Sequence, residues 1–316
     1  MNDKSNTNES SAIPEAAPHV NIGSLATEQV NQRSADIDML KSAEIAALIN
    51  ELDATVADAV SRVTPMIALA IDAAAESIAS GARLIYMGAG TSGRLGVLDA
   101  VECRPTFGVP DGVVVGLIAG GYDAMFRAVE GAEDSLTLGK HDLMELSLTP
   151  RDTVIGIAAS GRTPYVIGGL KYAVGLGCKT FAVACTADSE IGKIADVAIE
   201  AVTGAEVIAG STRMRAGTAQ KMILNMISTG AFIRVGKTYG NLMIDVQPTN
   251  AKLAERAVSI IRRITGRSDD TARRLLDQSG GSVKTAVVMG LLDCTAVEAR
   301  DRLEKSGGAV RRAVEL

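Results

Sequence analysis

The sequence predicts an α/β fold: a three-layer, doubly wound, five-stranded parallel sheet followed by a small C-terminal helical module. Three observations carry this expectation. Five short, β-rich runs occur at 83–88 (RLIYMG), 113–118 (VVVGLI), 153–158 (TVIGIA), 179–184 (KTFAVA) and 197–202 (VAIEAV), and most of their residues are apolar. Helical patterns separate them, as in a parallel sheet whose two faces are both covered. Beyond the last run the chain turns helical and ends in an internal repeat.

Each element follows from local pattern. Residues 1–22 are rich in Asn, Ser, Ala and Pro with no apolar period, and predict a disordered extension. Leu40, Ile45, Leu48, Ile49, Leu52, Val56 and Val60 recur at helical spacing and predict one helix over 40–62. Thr64-Pro65 interrupts the pattern, and a second helix is expected over 66–80. Helices are expected between the strands at 93–104, 123–138, 163–176 and 189–195, and a long one at 214–236. Residues 272–287 (ARRLLDQSGGSVKTAV) match 299–314 (ARDRLEKSGGAVRRAV) at 9 of 16 positions, each reading as helix, Gly-Gly turn, helix. The bounds are a 1–22 extension, a 23–265 domain including the leading helices, and a 266–316 module, UBA-like in size and helicity, with ITGRSD (264–269) as the joint.

Composition narrows the function. The net charge is −5 with 32 basic and 37 acidic residues, which disfavours nucleic acid and anionic membranes as partners. Four Phe, five Tyr and no Trp leave little for a stacking platform. The four Cys are scattered, and His19 and His141 are the only histidines, so no metal site or disulfide framework is expected. No apolar run reaches membrane-spanning length and the N-terminus is not signal-like, so a cytoplasmic protein is expected. Acid–base chemistry falls to carboxylates or lysines.

Gly88-Ala-Gly90-Thr-Ser-Gly93 follows a strand and opens a helix, matching the dinucleotide fingerprint GxGxxG. The next strand, however, ends in Ala119-Gly120-Gly121, with no acid to hold a ribose hydroxyl. A second loop, Ser160-Gly161-Arg162-Thr163-Pro164, is placed like the first, with Thr163 expected as helix cap and Pro164 in the first turn. One such loop is simple capping. Two in one sheet, offering Thr91, Ser92, Gly93, Ser160, Gly161 and Thr163, predict a pocket for a phosphate monoester. A third loop (204–213) carries Glu206 and Ser211, and Lys221 and Asn225 share a helix face that could meet a polar ligand or solvent. Glu102 is expected beside the apolar stripe of Leu95 and Leu98, near a helix end that Pro105 should stop. That setting suits a general acid. On the expected helix 123–138, Glu130, Glu133 and Asp134 are all candidates, and spacing does not choose among them.

The two loops and five-strand pattern resemble the sugar isomerase (SIS) domain, a binder of phosphosugars. Longer strings, in order, are similar to the N-acetylmuramic acid 6-phosphate etherase family: Thr27-Glu28-x-x-Asn31, GAGTSGRLGVLDAVEC (88–103), GLIAGG (116–121), AVEGAED (128–134), GIAASGRTPYVIGGL (156–170), GAEVIAGSTRMRAGTAQK (204–221) and NLMIDVQPTNAKL (241–253). The resemblance runs from about residue 24 to the end. Val101 and Arg104 stand where the family pattern leads one to expect Ser and Pro, and Tyr122-Asp123 where a Glu is expected. The resemblance implies removal of D-lactate from C3 of the phosphosugar, without metal or cofactor. It places the catalytic pair on Glu102 and Glu133, with Asn31, Glu206, Ser211 and Lys221 as further substrate contacts. It also implies a homodimer. A phosphosugar-sensing regulator without catalysis, like the related regulator of glucokinase, is the alternative, but it need not keep both glutamates.

Overall fold

The computed structural model describes residues 27–127, 129–246 and 251–316, so the expected 1–22 extension lies outside the described residues. Three helices lead: α1 (Ser42–Asp53), α2 (Val56–Ser61) and α3 (Thr64–Ala79). The single helix expected over 40–62 is thus two. At the break, the Thr55 hydroxyl donates to the Leu52 carbonyl at 2.9 Å, a local bond that competes with the helical ladder. Pro65 falls in the first turn of α3, where a missing N–H costs little.

Five parallel strands follow: β1 (Leu84–Gly88), β2 (Val114–Ile118), β3 (Thr153–Ile157), β4 (Lys179–Ala184) and β5 (Val197–Glu200), in the order β2-β1-β3-β4-β5. They alternate with α4 (Gly90–Phe107), α5 (Leu138–Glu145), α6 (Pro164–Leu176) and α7 (Glu190–Ile194), and α8 (Arg215–Arg234) follows β5. Successive strand residues point to opposite faces. Leu84 and Tyr86 enter one core with Ile67 of α3, Phe107 of α4 and Ile223 and Ile227 of α8. Ile85 and Met87 enter the other with Leu143 of α5 and Val166 and Leu170 of α6. All five β1 residues are buried, which explains its unbroken apolar run. The strand order reverses between β1 and β3, and in such sheets the crevice beyond the strand C-termini at that point is the usual ligand site.

Two expectations need correction. The helix expected over 123–138 is a short 3-10 turn at Tyr122–Met125, with irregular chain over the described residues 126–127 and 129–137. Of the helically spaced apolar residues Val129, Ala132 and Leu136, Val129 and Leu136 are exposed and only Ala132 is buried, while Gly131 adopts φ +74°. A helix whose apolar face has nothing to pack on lacks most of its stabilisation. Pro105, expected to stop α4, lies inside it. The helix continues to Phe107, whose ring stacks on Phe232 at 4.5 Å, and ends at Gly108 with φ +62°.

A two-stranded ribbon, β6 (Thr238–Tyr239) with β7 (Leu242–Met243), leads to α9 (Ala251–Thr265), α10 (Asp269–Gln278), α11 (Val283–Leu292), α12 (Ala296–Lys305) and α13 (Val310–Glu315). The repeat is therefore two helical hairpins, and the turn glycines Gly280, Gly281, Gly307 and Gly308 all have positive φ. A third core joins Ile244, Val246 and Ile261 to Val287, Val288 and Leu303, so the packed unit begins upstream of residue 266, the start that the repeat alone suggests. Among the described residues no single helix is long and apolar enough to cross a membrane.

The N-terminal end of the central strands β1 and β3 is held by charge. Asp152, just before β3, accepts from the Arg83 backbone at 2.9 Å, from its guanidinium at 2.7 Å and from the Thr149 backbone at 2.8 Å. Burial alone would push its carboxyl up; the Arg83 and Thr149 bonds outweigh that and hold it below the usual carboxylate value. Asp152→Ala should cost about 3 kcal/mol in denaturant unfolding, because Arg83 loses its partner. A depressed carboxyl stabilises fully above its unfolded value of ~4 and loses that contribution as pH falls through the folded value. The gap between wild type and variant should therefore narrow on acidification; a gap independent of pH would contradict this origin.

Candidate active site

Close backbone approach builds the crevice. A Cβ on Gly93 would lie 2.6 Å from the Gly88 carbonyl oxygen, so only glycine lets α4 start hard against the end of β1. Gly88 pairs in register with Ile157 of β3, which sets the 160–163 loop beside the first turn of α4. The six residues expected to take phosphate (Thr91, Ser92, Gly93, Ser160, Gly161 and Thr163) therefore lie on the two loops flanking the point where strand order reverses. Two helix N-termini, from α4 and α6, open onto it, a setting that favours an anion.

The hydroxyls are used differently from expectation. Ser92 does not cap α4; it sits inside the first turn and donates to Gln220 Oε1 of α8 at 3.0 Å. Thr163 occupies the N-cap position of α6 without capping it; its hydroxyl donates to Glu133 Oε1 at 3.3 Å. The Tyr165 N–H donates to the Glu133 carbonyl at 3.0 Å, so the irregular stretch before α5 is fastened to the phosphate loop at Glu133. Spacing could not choose among the three acids; this contact singles out Glu133 as the one on the crevice rim.

Other candidates frame the site. Glu206 is fully buried and accepts from the backbone N–H groups of Arg215 and Ala216 at 2.9 and 2.8 Å, closing the N-terminus of α8. Burial pushes its carboxyl up, and those two bonds pull it back. Asn31 donates to the Ala205 carbonyl at 3.3 Å and so ties the leading segment to the same loop, where Ser211 is half-buried. That loop delivers α8, whose Gly217 lies against Thr91. Lys221 is exposed on α8 and lines a pocket of about 210 Å³ with Leu95, Leu98, Asp99, Glu102, Leu224 and Asn225.

Glu102 is elsewhere. It is exposed, not shielded by Leu98, which is itself exposed. It lies twelve residues beyond Gly90, ~18 Å along the helix at 1.5 Å per residue. Since α4 runs back along β1, this places it near the opposite end of the sheet from the phosphate loops. One subunit therefore brings together the six residues expected to take phosphate and Glu133, but not Glu102. Sequence reasoning missed Asp99 and Gln220. The available signal was polar side chains on buried helix stripes: Gln220 and Ser228 interrupt the line of Ile223, Leu224, Ile227 and Ala231. Among the described residues, His141, Asp142 and Glu145 have atoms close enough to share an ion, but they lie on α5, and Asp142 already accepts from the Tyr165 hydroxyl at 2.6 Å.

Comparison with known proteins fits this geometry. Residues 66–174 match the glucokinase regulatory protein N-terminal SIS domain, residues 136–229 the SIS domain, and residues 240–284 the C-terminal lid domain of glucokinase regulatory protein. Proteins named N-acetylmuramic acid 6-phosphate etherase from Salmonella agona (strain SL483) and Salmonella typhi are each 53% identical over 296 residues, 94% of this chain and all of theirs. The one from Salmonella dublin is 52% identical over the same span.

The glycine contact gives a direct test. Gly93→Ala forces the first turn of α4 away from β1 and should weaken binding of a hexose 6-phosphate at least ~10-fold by calorimetry, the value of one charge-assisted hydrogen bond. Gly175→Ala, where nothing lies within 4 Å, is the control and should leave affinity intact.

Proposed function

The chain belongs to the N-acetylmuramic acid 6-phosphate etherase family of carbon–oxygen lyases, and from that premise we propose that it cleaves the D-lactyl ether of N-acetylmuramic acid 6-phosphate. The products are N-acetylglucosamine 6-phosphate and D-lactate, and the setting is cytoplasmic amino sugar catabolism and cell-wall recycling. The 6-phosphate sits on the loops of Thr91–Gly93 and Ser160–Thr163, with Asn31, Glu206, Ser211 and Lys221 framing or lining the approach. Opening of the sugar ring exposes a C1 aldehyde that acidifies the C2 proton. Glu133 removes that proton, and Glu102 protonates the lactyl oxygen as it leaves C3. Water then adds at C3, losing a proton to Glu102, while C2 regains one from Glu133. Anchoring the phosphate far from the reacting carbons turns its binding energy into orientation.

The observation that carries this reading is Glu133 held by Thr163 at the phosphate loop. Its corollary concerns assembly. The ~18 Å from the first turn of α4 to Glu102 exceeds the length of a hexose, so Glu102 acts on a substrate held by a second copy. Leu98 and Val101 beside Glu102, Leu69 of α3, and Met226 and Ile233 of α8 are exposed apolar residues, and α3 and α8 enclose a groove of about 560 Å³. An apolar surface of this kind suits an interface. The active unit in this reading is a homodimer with two shared sites.

Incubation with N-acetylmuramic acid 6-phosphate should release D-lactate and N-acetylglucosamine 6-phosphate in equal amounts. Binding without turnover would favour instead a phosphosugar-sensing regulator, the reading that the glucokinase regulatory protein matches permit. Glu102→Gln and Glu133→Gln should each lose at least ~10²-fold in kcat. Glu133→Gln should also stop exchange of the C2 proton with deuterium, whereas Glu102→Gln should retain exchange while releasing little lactate. Glu130→Gln, on the same irregular stretch, should cost little; loss of turnover there with Glu133→Gln intact would reassign the base. Ser160→Ala should weaken the 6-phosphate substrate, and the unphosphorylated sugar should already bind poorly.

A further inference from the structure

We propose that Gln220 is a positioning residue whose side-chain amide turns over when an anion arrives, so that Ser92 can give its proton to phosphate. This rests on the reading of the Thr91–Gly93 and Ser160–Thr163 loops as the 6-phosphate site. Ser92 sits in the first turn of α4, where an anion meets the helix N-terminus, and is 7% exposed. Gln220 reaches it from α8 and is fully buried. The two helices pass closely here: a Cβ on Gly217, three residues before Gln220, would lie 3.5 Å from Thr91 Cγ2. Ser92 donates to Gln220 Oε1 at 3.0 Å. The other end of the amide, Nε2, is buried without a hydrogen-bond partner among the described residues. A buried donor left in this way costs the desolvation of its N–H groups.

Proton counting supplies the reason for that cost. A hydroxyl has one proton, and a phosphate dianion only accepts. While the Ser92 proton lies on Gln220 Oε1, Ser92 has none for the phosphate. A half-turn of the amide exchanges Oε1 and Nε2, two atoms of nearly equal size, about a torsion that is broad and roughly two-fold. Nε2 then donates to Ser92 Oγ, and the Ser92 proton is released to the phosphate. Oε1 is left without a donor in place of Nε2 without an acceptor, so one orphaned atom replaces another. Ser92 thus gains a charge-assisted bond without giving up its bond to Gln220, and the chain from Nε2–H through Oγ–H to phosphate polarises each bond along it. An unphosphorylated sugar brings no anion to this point and leaves the amide as it stands.

Gln220→Met keeps the size of the side chain and removes both its acceptor and its donor. In that variant the Ser92 hydroxyl turns to solvent and must give up that bond to reach the phosphate. N-acetylglucosamine 6-phosphate, titrated by calorimetry, should therefore bind about fivefold more weakly, the worth of one neutral hydrogen bond. In a Ser92→Ala background the same substitution should change affinity by less than about twofold, since the two residues act as a pair. In the wild-type protein, one Gln220 side-chain N–H signal followed by NMR should move downfield and exchange more slowly when this ligand is added. N-acetylglucosamine without phosphate should leave that signal in place. An equal loss in both backgrounds, no loss in either, or Gln220 signals unchanged at saturation overturns the proposal alone. If Ser92→Ala binds N-acetylglucosamine 6-phosphate as tightly as wild type, the reading of Ser92 as a phosphate ligand falls, and the proposal with it. Where Gln220→Met fails to fold, the wild-type signals decide.

Discussion

The contact between Gly88 and Gly93 governs where α4 starts and, through it, where the site residues fall. With no side chain at either position, α4 begins directly against the end of β1, and its N-terminus opens onto the crevice where strand order reverses. The same contact fixes the helix axis against the sheet, so the length of α4 decides the position of every later residue. Ser92 meets Gln220, Asp99 meets Asn225 and Ser228, and Phe107 stacks on Phe232. These pairs, in increasing order on both helices, show that α4 and α8 run side by side in the same direction. One backbone approach thus places an anion site at one end and a carboxylate at the other.

That arrangement separates binding from part of the chemistry. Glu133 and the two loops proposed to hold phosphate share one end of the sheet, tied by the Thr163 hydroxyl. Glu102 stands at the other end, on an apolar surface next to a buried acid. In the proposed reaction one subunit alone lacks a full set of groups, and the proposed homodimer supplies it by sharing each site between two copies. The buried cluster of Asp99, Asn225 and Ser228 fixes α8 against α4 in one register.

Much of this was legible in the residues. The strands could be placed within a residue or two because buried parallel strands have no polar face to confuse the pattern, and the Gly-Gly repeat marked the C-terminal hairpins directly. The loops that open α4 and α6 were visible as paired strand-to-helix turns. Their hydroxyl partners were not, since Gln220 and Glu133 reach them from distant segments. The stretch around Glu133 misled for a physical reason: Val129, Ala132 and Leu136 have helical spacing, but helical spacing does not supply a surface to pack on. Pro105 misled in the opposite sense, because the stacking of Phe107 rewards continuing the helix past it. Asp99 was overlooked because a single acid on a helix acquires meaning only when its neighbours on another helix are known.

The central claim is that each working site takes Glu133 from one subunit and Glu102 from the other. The most direct test mixes two inactive proteins, Glu102→Gln and Glu133→Gln, under conditions that allow subunits to exchange. A mixed dimer holds one site with both changes and one with neither. Turnover of N-acetylmuramic acid 6-phosphate to D-lactate should therefore return, approaching about one quarter of the wild-type rate for equal, random mixing. If the mixture stays as inactive as its components after exchange is verified by mass, both glutamates belong to one subunit and the account is wrong.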